Sequence, residues 1–261
     1  MIGFLLRKTL YDLWDNMFRI VVLNLGFLAC SAIPIFVPIF AGRFINSLEL
    51  ELALTAAGIL VCSIYLATAS YTIKSVSDYG TFTFGNFIGN VKNAWPAGLA
   101  IGAFIFLLFF IITVVLPFYL EVEPPLLGLA LSAIVFWATI FSLLSFQFYF
   151  TAYARLGSKV KKTFKKCLLI ALDNTWLAVF LVINNTIALL ISIIFAFMFP
   201  GPVGILLYLD EALRLRLLKY DWLEANPGAN RRKIPWDELL IDERERTGTR
   251  TLKNFIFPWK D

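Results

Sequence analysis

The stretch from Lys92 to Arg155 has only two charged residues between its ends, Glu121 and Glu123, which lie together between two uncharged apolar runs. Each run is longer than the roughly 20 residues that an α-helix needs to cross the hydrocarbon core of a bilayer. A water-soluble domain has no use for two such runs in succession. The stretch therefore predicts a helical hairpin in a membrane and places the chain among polytopic membrane proteins.

Charge is scarce in this chain and unevenly distributed. Only 16% of the 261 residues are charged, against about 25% in ordinary soluble domains. Nine Lys/Arg and eight Asp/Glu fall in the last 43 residues. We therefore predict a transmembrane helical domain over 1–218 and a cytoplasmic charged tail over 219–261. The net charge of +5 reflects Lys/Arg at the ends of apolar runs, so the lipid bilayer is the indicated partner and nucleic acid is not.

The hydropathy pattern predicts an all-α polytopic protein with about six transmembrane helices in three hairpins. The sixth is weaker, since four charged residues follow its apolar start; it is a short crossing or, alternatively, a re-entrant segment that leaves five spans. The predicted spans are Ile20–Phe40, Leu52–Ile73, Ala97–Tyr119, Leu126–Tyr149, Trp176–Phe199 and Val203–Leu218.

The distribution of Lys and Arg predicts the orientation. Cytoplasmic loops of membrane proteins carry the excess of these residues, and here the basic loops are the N-terminal stretch and the connections after the second and fourth spans. We therefore expect a multi-pass membrane protein with both termini in the cytoplasm if the sixth span crosses.

Two basic connections have the apolar spacing of interfacial helices, 84–95 and 156–168, and 4–14 is a fainter example. Such helices bury one face at the headgroups and present lysines to anionic lipid. The residues expected at the membrane interface are Trp14, Trp95, Trp176, Lys161, Lys162, Lys165 and Lys166.

The three tryptophans are spaced uniformly, 81 residues apart, and each lies next to or near an asparagine: Asn16, Asn93 or Asn174. Tryptophan favours the membrane interface in any case. The alternative is a threefold repeat in which an amphipathic helix precedes each hairpin.

Polar residues inside spans are functional candidates. Asn24, Gln147, Asn184 and Asn185 form either interhelical hydrogen bonds or a polar patch along a solute path. Asp210 and Glu211 either pair with Arg214 along one helix or form an ion or partner site.

Two further pairs of residues have simpler interpretations. Gly98 and Gly102 form a GxxxG pattern that allows close helix packing. Asp173 and Asn174 are expected to cap the fifth span.

The sequence lacks the usual signs of an enzyme. It has no histidine, its three cysteines are far apart, and no HExxH, GxSxG or P-loop pattern occurs. We therefore predict a non-enzymatic protein without a metal site or cofactor.

Two segments resemble the YesL-like family, a family of bacterial integral membrane proteins described as a domain of unknown function. They are FGNFIGNVKNAWPAGLAIG, from Phe84 to Gly102, and FTAYARLGSKVKKTFKKCLLIALDNTWLAVF, from Phe150 to Phe180. The resemblance covers about Leu10 to Leu218 and leaves the tail out. It implies a protein of the bacterial cytoplasmic membrane that is often encoded beside carbohydrate ABC-importer components, and it supplies no catalytic residues.

Two functions remain after these arguments. One is a non-enzymatic accessory component linked to carbohydrate import, with an ABC importer subunit as partner. The other is a small-solute transporter or channel. The tail ends in aromatic residues, Phe255, Phe257 and Trp259, which could contact a membrane or a partner.

Overall fold

A computed structural model describes residues 1–45, 47–81, 83–157, 159–231 and 233–248. Within these ranges the regular structure is helical, as predicted, with a π-helical turn at Ile111–Val115 between α4 and α5. The aromatic residues at the end of the tail lie outside the described residues. The helices are α1 (Ile2–Asp15), α2 (Met17–Gly42), α3 (Leu48–Ser77), α4 (Phe84–Phe110), α5 (Leu116–Leu120), α6 (Pro125–Phe146), α7 (Tyr149–Leu156), α8 (Val160–Asp173), α9 (Thr175–Ile194), α10 (Gly201–Ala225), α11 (Trp236–Leu239) and α12 (Ile241–Thr247).

Five segments of the described chain are long and apolar enough to cross a membrane, which confirms a polytopic helical membrane protein. Their outward faces carry many exposed Leu, Ile, Val and Phe side chains, as expected of a surface whose solvent is lipid. The segments are Met17–Gly42, Leu48–Ser77, Phe84–Leu120, Pro125–Leu156 and Thr175–Ile194.

Helix α3 lies at the centre of the bundle and packs against α2, α4, α7 and α10. Its closest neighbour is α4, because Gly98 and Gly102 face it. A Cβ added to Gly98 would overlap the backbone of Ile64, and one added to Gly102 would press on Leu60 and Ser63. The predicted packing role of this glycine pair is confirmed by these contacts.

The predicted sixth span lies within α10, which is one continuous helix of 25 residues but is not among the five apolar segments. The turn before it lies beside Asn24, whose side-chain amide donates to the carbonyls of Met198 and Pro200. Asn24 is 18 residues before Gly42 in α2, about 27 Å along a helix at 1.5 Å per residue. The α9–α10 turn therefore lies beside the first third of α2, short of its Gly42 end.

The proposed repeat is visible in the first and third units. Asn16 separates α1 from α2, and Asn174 separates α8 from α9. The side-chain amide of each donates to the carbonyl four residues earlier, Asp12 or Ile170, at 3.0 Å. The second unit differs, because Asn93 lies inside the uninterrupted helix α4.

The two predicted interfacial helices differ from the prediction. Residues 84–95 form the first three turns of α4 instead of a separate helix. Helix α8 is separate, but its apolar face packs on protein: the Phe164 ring contacts those of Phe104, Phe146 and Tyr149 at centroid distances of 4.7 to 5.8 Å. Packed aromatic rings contribute to core stability, and this face of α8 therefore packs inside the fold.

Candidate functional site

The C-terminal end of α3 is a turn that leaves a backbone carbonyl free. Gly80 N–H donates to Ser75 and Tyr79 N–H donates to Val76, the two hydrogen bonds of a Schellman motif. Tyr79 occupies the left-handed position at φ 60°, where glycine is usual. The carbonyl of Ser77 remains as an acceptor at the negative end of the helix dipole.

Three cations from three other helices converge on this end of α3. Lys8 of α1 and Arg214 of α10 donate to the Ser77 carbonyl, at 3.1 and 2.5 Å, and Arg155 of α7 donates to the Ser77 hydroxyl at 2.8 Å. We call Lys8, Ser77, Arg155, Asp210, Glu211 and Arg214 the Ser77 network. It joins α1, α3, α7 and α10 at one point.

Asp210 is the most deeply buried carboxylate of the network, with 0% of its surface exposed. Arg155 binds it in a bidentate manner, with Nε–Oδ1 2.8 Å and Nη2–Oδ2 2.5 Å. The remaining guanidinium nitrogen, Nη1, lies 3.0 Å from Asp78. Both oxygens of Asp210 are therefore occupied by fixed donors, the arrangement in which a buried charge is tolerated.

Glu211 is paired in the same way with Lys8, which is 1% exposed. The Lys8 Nζ lies 2.5 Å from Glu211 and 2.6 Å from Asp12, and 4.5 Å from the centre of the Tyr79 ring. Burial alone would lower the pKa of Lys8, but Glu211 and Asp12 together raise it above its ordinary value. The amine therefore stays protonated at neutral pH beside Glu211 and Asp12.

The predicted helical pair between Arg214 and its neighbours Asp210 and Glu211 is wrong. Arg214 donates to Glu243 of α12 at 2.6 Å instead, and Tyr79 O–H donates to the same carboxylate at 3.0 Å. The tail helix is thereby anchored to the Ser77 network. The four-residue spacing between Asp210 and Arg214 favoured an ion pair within α10. Both carboxylates are instead buried against other helices, where Asp210 binds Arg155 and Glu211 binds Lys8.

The predicted polar patch is divided into separate contacts. Gln147 donates to the Ala178 carbonyl at 3.0 Å and accepts from Asn185 at 3.5 Å. Asn184 lines a different, apolar groove between α1, α9 and α10. Asn24 lies apart from all three, in contact with the α9–α10 turn. These residues do not form a continuous polar path within the described part of the chain.

Asn24 satisfies three backbone groups at once. Its amide donates to Met198 and Pro200, and its carbonyl accepts from Val203 N–H at 3.0 Å. The side chain is fully buried, and it thus fixes the turn that starts α10.

We expect Asn24→Leu to lower the free energy of unfolding by about 2 kcal/mol, because buried backbone groups lose their partners. Chemical denaturation in detergent measures the change. The control is Asn184→Leu, since no hydrogen bond joins the Asn184 side chain to the rest of the described chain, and it should have little effect. Equal losses for the two variants would contradict the role given to Asn24.

Six of the seven residues predicted for the membrane interface are exposed on the protein surface. Trp14, Trp95 and Trp176 are 39%, 49% and 88% exposed, and among the lysines Lys161, Lys162 and Lys165 are exposed whereas Lys166 is half-buried.

The predicted cap at the start of α9 is wrong, because neither Asp173 nor Asn174 accepts a hydrogen bond from the first turn. Asp173 instead accepts from Lys219 at 3.0 Å and from Tyr220 at 2.9 Å. Burial alone would raise the pKa of Asp173, but these two hydrogen bonds and the nearby cations hold it below its ordinary value.

A cleft of about 670 Å³ opens beside this contact, between α8 and α10. It combines apolar side chains with both signs of charge and lies outside the five apolar segments, apart from Leu156. Its lining residues are Leu156, Lys166, Leu169, Ile170, Asp173, Leu217, Tyr220, Leu223, Glu224 and Arg231.

Sequence reasoning missed Lys8 and Arg155 as members of the site. Both residues were used only as basic charges that indicate membrane orientation. The partner of Lys8 lies 203 residues away along the chain, and the partner of Arg155 lies 55 residues away. The only signal was that Asp210 and Glu211 required counter-charges. Within the described residues, no group of three or more His, Cys, Asp or Glu is placed to hold a metal ion.

Comparison of the chain with protein-family models, curated proteins and solved structures finds no match. The resemblance to the YesL-like family therefore stays a prediction from the sequence.

Proposed function

We propose that this chain is a non-enzymatic accessory protein of the bacterial cytoplasmic membrane that binds a protein partner through the cleft between α8 and α10. The observation that carries the proposal is the contrast between two sites. The buried carboxylates of α10, Asp210 and Glu211, are engaged in ion pairs, whereas the cleft leaves apolar and charged side chains accessible.

The saturation of Asp210 and Glu211 argues against the transporter alternative. A carboxylate that couples ion movement must exchange its partner during the cycle, and removing one partner from a buried ion pair is costly. Bidentate contact with Arg155 and the pairing with Lys8 hold both groups in place. A structural role is the simpler account of both residues.

The composition of the cleft fits a protein partner. Leu169 is 55% exposed at its edge, and Lys166, Arg231, Asp173 and Glu224 lie around the apolar part. Apolar centres with a charged rim are the usual anatomy of protein interfaces. The excess of Lys and Arg in the α8 segment puts this face in the cytoplasm under the positive-inside rule.

The nature of the partner rests on the resemblance to the YesL-like family. It suggests a membrane subunit of a carbohydrate ABC importer, which would meet the cleft at the cytoplasmic face.

The test is copurification of the affinity-tagged chain from its native host in a mild detergent, with mass spectrometry of the bound proteins. We expect an importer subunit to be recovered with the wild-type chain and lost with Leu169→Asp. The control is Leu172→Asp, which makes the same change at a position on α8 that is 60% exposed and does not line the cleft.

Two results would overturn the proposal. One is recovery of no importer subunit with the wild-type chain. The other is equal recovery with both aspartate variants, which would place any interaction elsewhere on the surface.

A further inference from the structure

A second, smaller pocket of about 270 Å³ lies where α3 ends and α4 begins. Its described lining residues carry hydroxyl and amide groups, and none of them is charged at neutral pH. They are Tyr71, Thr72, Ser75, Thr81, Thr83, Gly85, Asn86, Gly89 and Asn90. The pocket shares no lining residue with the α8–α10 cleft, so an inference from it does not rest on the proposed partner.

One wall of the pocket comes from a repeated dipeptide, Gly85-Asn86 and Gly89-Asn90. Residues four apart lie on the same face of a helix, so both asparagines and both glycines reach the pocket. A Cβ added at Gly85 or Gly89 would meet nothing within 4 Å. These glycines are not needed for helix packing, and their open surface leaves room for a ligand.

The opposite wall contains a buried hydroxyl without a partner. Thr72 is 5% exposed and its Oγ1 makes no hydrogen bond within the described chain. A threonine in a helix commonly donates to the carbonyl four residues earlier, as Thr68 does to Ile64 at 2.8 Å. The Oγ1 itself is shielded from solvent, so the polar groups that a solute can reach are those of exposed lining residues such as Thr81, Thr83 and Asn86.

The asparagine amides are also free. No hydrogen bond joins the side chain of Asn86 or Asn90 to the described part of the chain. Each amide offers two donors and an acceptor, and each hydroxyl offers both functions.

This chemistry selects the class of ligand. A charged ligand pays a large free-energy cost when it loses its water, and a lining without charge cannot offset that cost. Hydroxyl and amide groups, which both donate and accept hydrogen bonds, instead match the hydroxyls of a polyol. The volume of about 270 Å³ suits an occupant of small-solute size. We propose that this pocket binds an uncharged, hydroxyl-rich ring of monosaccharide size, either a free sugar or the headgroup of a glycolipid.

The test is scintillation-proximity binding of tritiated glucose, galactose, N-acetylglucosamine and inositol to the full chain. The protein is purified in a zwitterionic detergent, because a maltoside would itself supply a competing sugar. We expect at least one of these probes to bind and to be displaced by its unlabelled form.

Matched variants separate the pocket from general effects of sugars. Gly89→Leu places a bulky side chain in the pocket at a position where its Cβ meets nothing within 4 Å, and Asn86→Ala with Asn90→Ala removes its amides. Each should weaken binding at least about tenfold, equal to ~1.4 kcal/mol. Asn93→Ala, an exposed amide of the same helix outside the pocket, should bind as the wild type does.

The outcomes are distinct. The proposal is wrong if no probe binds the wild type better than it binds Gly89→Leu, or if inorganic phosphate binds and sugars do not. The protein is then reassembled in phosphatidylcholine nanodiscs that contain monogalactosyl diacylglycerol, and galactose binding is measured again. This measurement identifies whether the bound ring comes from a lipid or from a free sugar. Loss of galactose binding there supports a glycolipid headgroup, and unchanged binding supports a free sugar.

Discussion

Arg155→Met is expected to lower the free energy of unfolding by about 3–5 kcal/mol, the typical cost of removing one partner from a buried ion pair. The loss arises because Asp210, with 0% of its surface exposed, would keep its position without the two hydrogen bonds of the guanidinium. Reversible chemical denaturation in detergent micelles measures the difference from the wild type.

The matched control for this prediction is Arg244→Met. Arg244 also pairs with an aspartate, Asp237, at 2.8 Å, but the two side chains are 50% and 92% exposed. Exposed pairs contribute about 0–1 kcal/mol, so this variant should be nearly neutral. Similar losses for the two variants would mean that the Arg155 pair is not buried as described.

Gly98→Leu is expected to be the second large effect, with a loss of about 3 kcal/mol or more, because a side chain there must push α4 away from α3. The overlap is with the backbone of Ile64, which cannot rotate aside as a flexible side chain could. The same denaturation measurement reports the change.

Gly89→Leu is the control for Gly98→Leu, since both change a glycine of α4 to leucine. A Cβ at Gly89 meets nothing within 4 Å, and leucine has the better helix propensity by up to about 1 kcal/mol. The Gly89 variant should be neutral or slightly stabilised. If the Gly89 variant loses as much free energy of unfolding as the Gly98 variant, then the close contact between α3 and α4 is not the cause of the loss.

Much of the fold could be predicted from the sequence because its signals are local. Runs of apolar residues predict the spans, and a GxxxG pattern at Gly98 and Gly102 predicts a close helix contact. Even the break before a span is local, since Asn16 and Asn174 each bind the carbonyl one turn earlier.

The sequence pointed to Asp210, Glu211 and Asn24, but their partners could not be predicted, because these contacts join distant parts of the chain. Lys8 meets Glu211 across 203 residues, and Asn24 meets Pro200 across 176. Local rules gave the wrong partner for Arg214. They also gave the wrong role for Asp173, which binds Lys219 and Tyr220 instead of capping α9.

We infer that α10, a charged helix inside an apolar bundle, is held in place by the ion pairs of its buried carboxylates, Asp210 and Glu211. The most direct test is a double-mutant cycle in which Arg155→Met is measured in the wild type and in Asp210→Leu. We predict that its cost falls from about 3–5 kcal/mol to ~1 kcal/mol or less once the carboxylate is gone. An unchanged cost in the two backgrounds would contradict the account.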